Sequence, residues 1–256
     1  MIYDPRRRQS DSPFHFLSFT FHFSLYSLNS LNSFFVARVL ANKFVALALL
    51  IGIGVWFLVI PAITNQLGAN PIERMLHVSG EIAIWLLGAV LSLSPLRALF
   101  PRSSLVNALN RHRRYIGVSA CIYGLVHFSC QVLYQGDWDD LLQSFSKPFT
   151  WFGLIGLTIL VVLAATSNNW AVRRLGGKRW KLLHRLAYVA AVVLIYHQTI
   201  AGKGHWYISR WLLAWLLILQ TARLTKYWAT RFRRRLAMAR QEAKTPVPQQ
   251  SPERSR

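Results

Sequence analysis

Six apolar stretches alternate with polar or charged connections along most of the chain. Several of them approach the roughly 20 residues that an α-helix needs to cross a lipid bilayer. The connections are short, so sequential helices are expected to pack antiparallel. The pattern predicts an all-α, polytopic membrane protein with a bundle of six transmembrane helices. The predicted spans cover about 44–61, 74–94, 115–134, 149–166, 182–200 and 207–224.

Basic residues are concentrated in alternate connections between these spans. The 95–114 and 167–181 connections each carry five Lys or Arg residues and no acidic residue. The 135–147 connection carries three aspartates against one lysine, and the 201–206 connection carries a single lysine. Cytoplasmic loops of membrane proteins hold an excess of Lys and Arg. The distribution therefore predicts that both termini and the two basic connections are cytoplasmic.

The total charge has a simple explanation in such a protein. Thirty Lys and Arg residues against nine Asp and Glu residues give a formal net charge of +21. In a soluble protein this charge would favour nucleic-acid binding. In a chain with membrane spans, cytoplasmic connections and contact with anionic lipid account for it. We therefore expect the lipid bilayer, and no nucleic acid, among the partners.

The pattern divides the chain into three parts. Residues 1–40 mix Phe and Ser without helical periodicity, and we expect a poorly ordered N-terminal extension or an artefact of an upstream start codon. Residues 41–226 hold the six spans and form the transmembrane domain. Residues 227–256 are expected to form a basic cytoplasmic tail.

Four histidines fall within the predicted spans, and the orientation assigns each a depth. His77, His127 and His197 lie in the outer half of the membrane, and His184 lies near the cytoplasmic edge. Neutral imidazole is a good iron ligand, and a b-type heme can take one histidine from each of two facing helices. By depth, His197 pairs best with His127, which predicts an outer heme.

The inner end of the fifth span leaves two alternatives open. His184 and His197 are thirteen residues apart and do not share a face of a straight helix, so they are expected to serve different sites. The depth opposite His184 on the third span is occupied by Arg113 and Arg114. The inner site is either a second heme with an incomplete ligand set, or a pocket for a flavin or quinone whose anionic groups meet those arginines.

The predicted spans contain few cysteines and acidic residues, which a disulfide, a thiolate-bound metal or a proton path would need. The two cysteines, Cys121 and Cys130, lie about 13 Å apart along one predicted helix, too far for a disulfide. Any metal centre is therefore held chiefly by histidine. A proton relay or ion path usually adds carboxylates at mid-membrane. The only acidic residue inside a predicted span is Glu81, one turn after His77.

Three segments resemble a known family. They are "HVSGEIAIWLLGAVLSLSPLRAL" (77–99), "RRYIGVSACIYGLVHF" (113–128) and "TSNNWAVRRLGGKRWKLLHRLAYVAAVVLIYH" (166–197). They resemble the heme-binding membrane subunit of the bacterial periplasmic protein-methionine-sulfoxide reductase system, within the ferric-reductase-like transmembrane group. The resemblance covers roughly 40–226. The chain departs from the family in its N-terminal extension and in the polar "HQTIAGKGHW" that follows the fifth span.

The resemblance implies cofactors, partners and a location. It implies b-type heme and FMN in a multi-pass protein of the bacterial inner membrane. Electrons would come from the respiratory quinone pool and pass to a periplasmic molybdopterin-dependent catalytic subunit, which repairs oxidised methionine in envelope proteins. The family's histidines fall on His77, His127, His184 and His197, and the last three are the expected metal ligands. With Arg113 and Arg114, these histidines are the expected cofactor-binding residues.

The expected role is thus an electron-transfer subunit of an oxidoreductase complex, to which we assign no catalytic residue. A self-sufficient ferric reductase or NAD(P)H oxidase would need a nucleotide-binding βαβ unit, and the basic residues after the sixth span do not supply one. Two alternatives remain. One is a ferric-reductase-like diheme cytochrome b with another electron acceptor, and the other is a small non-redox transporter.

Overall fold

The structure is a computed structural model that describes residues 36–201 and 206–242, although not the side chains of 206–209 and 242. Every regular element in these residues is helical. After a helical stretch at 36–40, ten helices follow: α1 (Lys43–Ile63), α2 (Pro71–Leu99), α3 (Ser104–Arg111), α4 (Arg113–Gln135), α5 (Trp138–Ser144), α6 (Pro148–Ala165), α7 (Asn169–Leu175), α8 (Gly177–Leu183), α9 (Leu186–Ile200) and α10 (Trp206–Glu242).

Four of the helices are long and apolar enough to cross a membrane. They are α1, α2, α4 and α6, and they coincide with the first four predicted spans. The last two predicted spans correspond to α9 and the first part of α10, which the same criteria of length and apolarity do not select. The prediction of a helical, multi-pass membrane protein is confirmed, and the count of six spans stays a prediction.

The helix ends follow from local chemistry. Asn42, Asn70, Ser103 and Asn168 precede α1, α2, α3 and α7, and each side chain accepts a hydrogen bond from a backbone N–H of the first turn. A glycine with positive φ follows α4 and α7, where the chain turns out of the helix.

The second span extends past the point where the sequence predicted its end. Pro95 lacks a backbone N–H, so the prediction stopped the helix at 94. In the structure α2 continues through a fully buried Pro95 to Leu99. Packing against the neighbouring helices offsets the one backbone hydrogen bond that proline removes.

Four helices form a ring around the centre of the bundle. Helix α2 packs against α4, α4 against α6, α6 against α9, and α9 against α2. Helices α4 and α9 therefore lie on opposite sides of the ring. Helix α10 packs on the outside against α2 and α9, and α1 contacts α4. The core of the ring is apolar and includes Leu87, Ala120, Leu160 and Ala190.

The fifth predicted span is interrupted near its start. Helix α8 ends at Leu183 and α9 begins at Leu186, so His184 lies at the break instead of inside one straight helix. Around the break, backbone hydrogen bonds connect residues three apart, as in a 3₁₀ turn: Arg185 to Leu182, Ala187 to His184 and Tyr188 to Arg185. His184 therefore lies in a 3₁₀-type turn between α8 and α9.

The predicted terminal regions lie partly outside the described residues. This applies to 1–35 of the N-terminal extension, to 202–205 of the polar exit from the fifth span, and to 243–256 of the tail. The described part of the tail is helical, because α10 runs without interruption from Trp206 to Glu242. At about 1.5 Å per residue its 37 residues are longer than a membrane crossing requires.

Candidate functional site

Two histidines from opposite helices of the ring meet in its interior. His127 lies in the second half of α4, and His197 lies near the end of α9. Their ring centroids are 6.2 Å apart, and the ring planes are nearly perpendicular, at 86°. Both lie at the end of the bundle away from the two arginine-rich connections, because α4 and α9 begin at those connections. The structure thus brings together the pair that the sequence predicted.

Each of the two rings is held by a backbone carbonyl of a neighbouring helix. Nδ1 of His127 lies 2.8 Å from the carbonyl oxygen of Leu76 on α2. Nδ1 of His197 lies 2.7 Å from the carbonyl oxygen of Phe149 on α6. A carbonyl oxygen can only accept, so in the neutral ring Nδ1 carries the proton and Nε2 keeps its lone pair. Histidines that bind a metal are oriented in this way, with the second ring nitrogen donating to a carbonyl or carboxylate.

The spacing of the two rings fits a single metal ion between them. A metal–imidazole bond is about 2 Å long, so two rings on opposite sides of one ion have centroids about 6 Å apart once the ring radii are added. The observed 6.2 Å agrees with this value. The donor set, two imidazoles whose Nδ1 atoms are each bound to a backbone carbonyl, would suit an iron ion, which imidazole nitrogen binds well.

A cavity next to the two histidines offers mostly apolar walls. Its polar lining includes His77, Glu81, Gln131 and Gln198 in addition to the histidine pair. The apolar lining comes from all four helices of the ring and from the α5 region, and it includes Ile84, Phe128, Leu141, Phe145, Leu157 and Leu194. Such a surface suits a planar apolar group bound between helices, with its polar edge toward the amide and imidazole side chains.

His77 lies in this cavity but differs from the pair. Its side chain is exposed, and its Nε2 lies 3.8 Å from Oε1 of Glu73, one turn earlier on α2. Glu81, one turn later, lines the same cavity. His77 thus lies at the edge of the site, where a hydrogen-bonding role fits its position.

His184 lies in a separate cluster at the arginine-rich end. Its ring stacks on the indole of Trp180, with centroids 4.0 Å apart, and its Nε2 lies 3.3 Å from Oγ1 of Thr166. The indole N–H of Trp180 donates to the Thr166 carbonyl at 2.9 Å. The positive charges of Arg113 and Arg114 act on the His184 ring through space.

The two arginines are themselves held by side chains. Arg113 donates to Oγ of Ser94 at 3.3 Å, and Arg114 donates to Oδ1 of Asn169 at 2.9 Å. Twelve residues of α9 and its preceding turn separate His184 from His197, about 20 Å along a helix. The structure therefore groups His184, Arg113 and Arg114 at one end and His127, His197 and His77 at the other.

Several known proteins are similar to this chain. Residues 79–195 match the family described as ferric reductase like transmembrane component. The chain is 41% identical over 138 residues to a protein from Herminiimonas arsenicoxydans, 38% over 143 residues to one from Ralstonia nicotianae, and 36% over 157 residues to one from Agrobacterium fabrum. Each of these is named protein-methionine-sulfoxide reductase heme-binding subunit MsrQ, and the third match covers 59% of this chain and 68% of the relative.

The chain belongs to the MsrQ family. The first two matches cover 53% and 55% of this chain, and the chain spans 62% and 64% of those two relatives, which is less than two thirds of their length. The segment that matches the ferric-reductase-like family contains Arg113, Arg114, His127 and His184. His77 and His197 lie two residues beyond its ends.

Three features of this MsrQ-family chain were not predicted from its sequence. His112 lies between α3 and α4 and is buried, with Nε2 3.1 Å from the Ala41 carbonyl. Tyr123 is buried on α4 and donates to the Leu50 carbonyl at 2.7 Å. Gly80 and Gly153 lie against the rings of His127 and His197. Glycines inside apolar stretches were the available signal for the last two.

Proposed function

We propose that the chain is a membrane electron-transfer subunit that binds one b-type heme between His127 and His197. The observation that carries this proposal is the paired geometry of the two histidines. They come from opposite helices, each has Nδ1 bound to a helix carbonyl, and their centroids are 6.2 Å apart. The names of the relatives, which are heme-binding subunits, support the same assignment.

The residues around the pair have distinct tasks in this proposal. The Leu76 and Phe149 carbonyls keep the proton on Nδ1 of each ring, so that both Nε2 atoms remain available as ligands. The apolar lining of the cavity would contact the apolar faces of the bound group. Gln131, Gln198 and His77 offer hydrogen bonds to a polar edge. When bound, heme supplies a one-electron carrier, and the protein supplies ligation and orientation.

The arginine-rich end is proposed as the site where electrons enter. His184 stacks on Trp180, and the nearby guanidinium groups of Arg113 and Arg114 suit an anionic group such as a phosphate. FMN, or a quinone from the respiratory pool, fits this chemistry. A second heme would need a ligand opposite His184. Among the described side chains, the one within hydrogen-bonding distance of that ring is Thr166. This observation favours a flavin or quinone at the inner end.

The wider setting of the proposal follows from charge and family. Six spans with both termini cytoplasmic, within residues 41–226, would place the His127/His197 end at the periplasmic face of a bacterial inner membrane. Electrons would pass there to a periplasmic, molybdopterin-dependent catalytic subunit that reduces methionine sulfoxide in envelope proteins. The relatives' names as subunits of a protein-methionine-sulfoxide reductase support such a partner.

A reduced-minus-oxidised absorption spectrum of the purified chain tests the proposal, with heme and flavin quantified per chain. Wild-type protein is expected to show a b-type spectrum that His127→Ala and His197→Ala each abolish. His112→Ala is a matched control, because His112 is also buried and also binds a backbone carbonyl, but at the arginine-rich end. A colourless wild-type protein, after expression with ample heme supply, would contradict the proposal and favour the transporter.

A further inference from the structure

The two histidines are held by the same local device on two different helices. His127 binds the carbonyl of Leu76, and the residue four positions later on α2 is Gly80. His197 binds the carbonyl of Phe149, and the residue four positions later on α6 is Gly153. In an α-helix, the carbonyl of residue i faces the N–H of residue i+4. Each imidazole therefore reaches its carbonyl across a glycine.

The space at each glycine is filled by the imidazole. A Cβ atom added to Gly80 would lie 2.7 Å from Nδ1 and 3.0 Å from Cε1 of His127. A Cβ atom added to Gly153 would lie 2.8 Å from Cε1 and 3.0 Å from Nδ1 of His197. These distances are well below van der Waals contact, and each ring is fixed by its hydrogen bond. No other residue type fits without moving the ring.

We propose that Gly80 and Gly153 are positioning residues that set the orientation of the His127 and His197 rings, and so the near-perpendicular angle between them. This inference rests on the proposed function. Each ring approaches its neighbouring helix closely enough to bind the carbonyl only because the residue four positions after that carbonyl has no side chain. The glycines thereby act on a bound heme through its two ligands, without needing to touch it.

A methyl group at either position has two consequences. The ring must tilt or withdraw, which lengthens the hydrogen bond from Nδ1 to the carbonyl and makes the ligand less basic. The angle between the two ring planes also changes from the observed 86°. The first effect alters the reduction potential of the iron. The second alters the electron paramagnetic resonance (EPR) spectrum of low-spin ferric heme, which depends on the angle between the axial ligand planes.

The matched control is another crowded glycine on the same helix. A Cβ atom on Gly88 of α2 would lie 2.5 Å from Cδ1 of Leu212, so Gly88→Ala introduces similar crowding against a leucine and away from the histidines. Gly52→Ala on α1 serves as an uncrowded control, since nothing lies within 4 Å of its added Cβ. We compare these with Gly80→Ala and Gly153→Ala in the full-length, heme-loaded protein, by EPR and potentiometric titration.

The expected result separates the two pairs of variants. Gly80→Ala and Gly153→Ala each shift the low-field EPR signal and the midpoint potential, and both lower heme occupancy by several-fold. Gly88→Ala and Gly52→Ala keep the wild-type signal and potential, whatever their effect on stability. An unchanged EPR signal and potential in both His-facing variants, or an equal shift in Gly88→Ala, would overturn the proposal.

A double-mutant cycle keeps the proposal testable if an alanine variant binds no heme or folds poorly. Protein made under heme depletion is compared as wild type, Gly80→Ala, His127→Ala and the double variant, by thermal unfolding and by yield of membrane-inserted protein. The inference expects Gly80→Ala to lower both, and His127→Ala to restore most of the loss by removing the crowded ring. Independent, additive losses would contradict it. Because this cycle needs no heme, it tests the role of the glycines independently of the proposed function. The proposed function is contradicted instead if wild-type protein binds no heme.

Discussion

The indole of Trp180 lies against the imidazole of His184, with ring centroids 4.0 Å apart and planes tilted by 30°. This stacking distinguishes His184 from the pair at the other end of the bundle, whose rings are each fixed by a backbone carbonyl through Nδ1. The Nε2 atom of His184 faces the Thr166 hydroxyl at 3.3 Å. One chain thus presents two imidazole environments: one keeps Nε2 free for a metal, and the other engages it with a hydroxyl.

We expect His184→Ala to leave the proposed heme between His127 and His197 intact. His184 lies about 20 Å from His197 along the helix axis, and it does not line the cavity next to His127 and His197. The b-type spectrum and EPR signal that depend on His127 should persist, while the flavin or quinone content of the purified protein falls. Trp180→Phe, which keeps an aromatic ring on His184, serves as the control. Loss of the outer heme signal in His184→Ala would contradict two independent sites.

The charge of Arg114 is expected to matter for an anionic cofactor at the inner end. Arg114→Gln removes a charged donor that is half-buried and oriented by Asn169. Losing a charge-assisted hydrogen bond costs about 1.5–3 kcal/mol, so the affinity for FMN should fall roughly tenfold or more.

Titration of FMN fluorescence against the full chain in nanodiscs measures the affinity. Arg174→Gln makes the same charge change at an exposed position of α7 and controls for net charge. Equal weakening in both variants would mean that overall charge, and not a built site, attracts FMN. If FMN does not bind the wild-type protein either, the quinone remains as the proposed inner cofactor.

The proximity of His127 and His197 could be predicted from the sequence because depth in a membrane is simple to calculate. Each span has a fixed rise per residue, and alternate basic connections set its direction, so His127 and His197 fall at one level. The break at His184 was not predictable in this way. It depends on 3₁₀-type hydrogen bonds within residues 182–188, which contain no proline or glycine.

The supporting atoms of the outer site were also beyond the sequence. The Leu76 and Phe149 carbonyls are backbone groups, and any residue type could supply them. Of this arrangement, only the glycines four residues later, Gly80 and Gly153, are visible in the sequence. Their role can be recognised only once the structure shows which helix each ring packs against, because packing partners are set by tertiary contacts.

The orientation of the bundle can be tested by cysteine labelling from each side of the membrane. The two native cysteines are buried, so the background should be low. Ser104→Cys lies at the start of α3 in an arginine-rich connection, and Ser146→Cys lies between α5 and α6. We expect a membrane-impermeant thiol reagent to label Ser146→Cys in intact spheroplasts and Ser104→Cys only after the membrane is opened. The reverse pattern would invert the proposed topology.

The buried hydroxyl of Tyr123 joins α4 to α1 inside the membrane. It donates to the Leu50 carbonyl at 2.7 Å, just before the π-helical turn Val55–Val59 of α1. A Cβ atom added to Gly54 would lie 2.6 Å from the hydroxyl oxygen of Tyr123, so this hydroxyl packs directly on the α1 backbone. Such insertions disturb the regular hydrogen-bond ladder of a helix, and the π-helical turn follows at this point.

Tyr123→Phe is therefore expected to destabilise the protein by about 1 kcal/mol, because hydrogen bonds between membrane helices are modest in strength. For a chain of this size the loss corresponds to a fall in Tm of roughly 2–4 °C in thermal unfolding. Tyr134→Phe, at an exposed position of the same helix, should change Tm by much less. Because Tyr123 does not line the cavity, the heme spectrum of Tyr123→Phe should match that of the wild-type protein. A Tm equal to that of Tyr134→Phe would show that the Leu50 contact contributes nothing to holding α1 against α4.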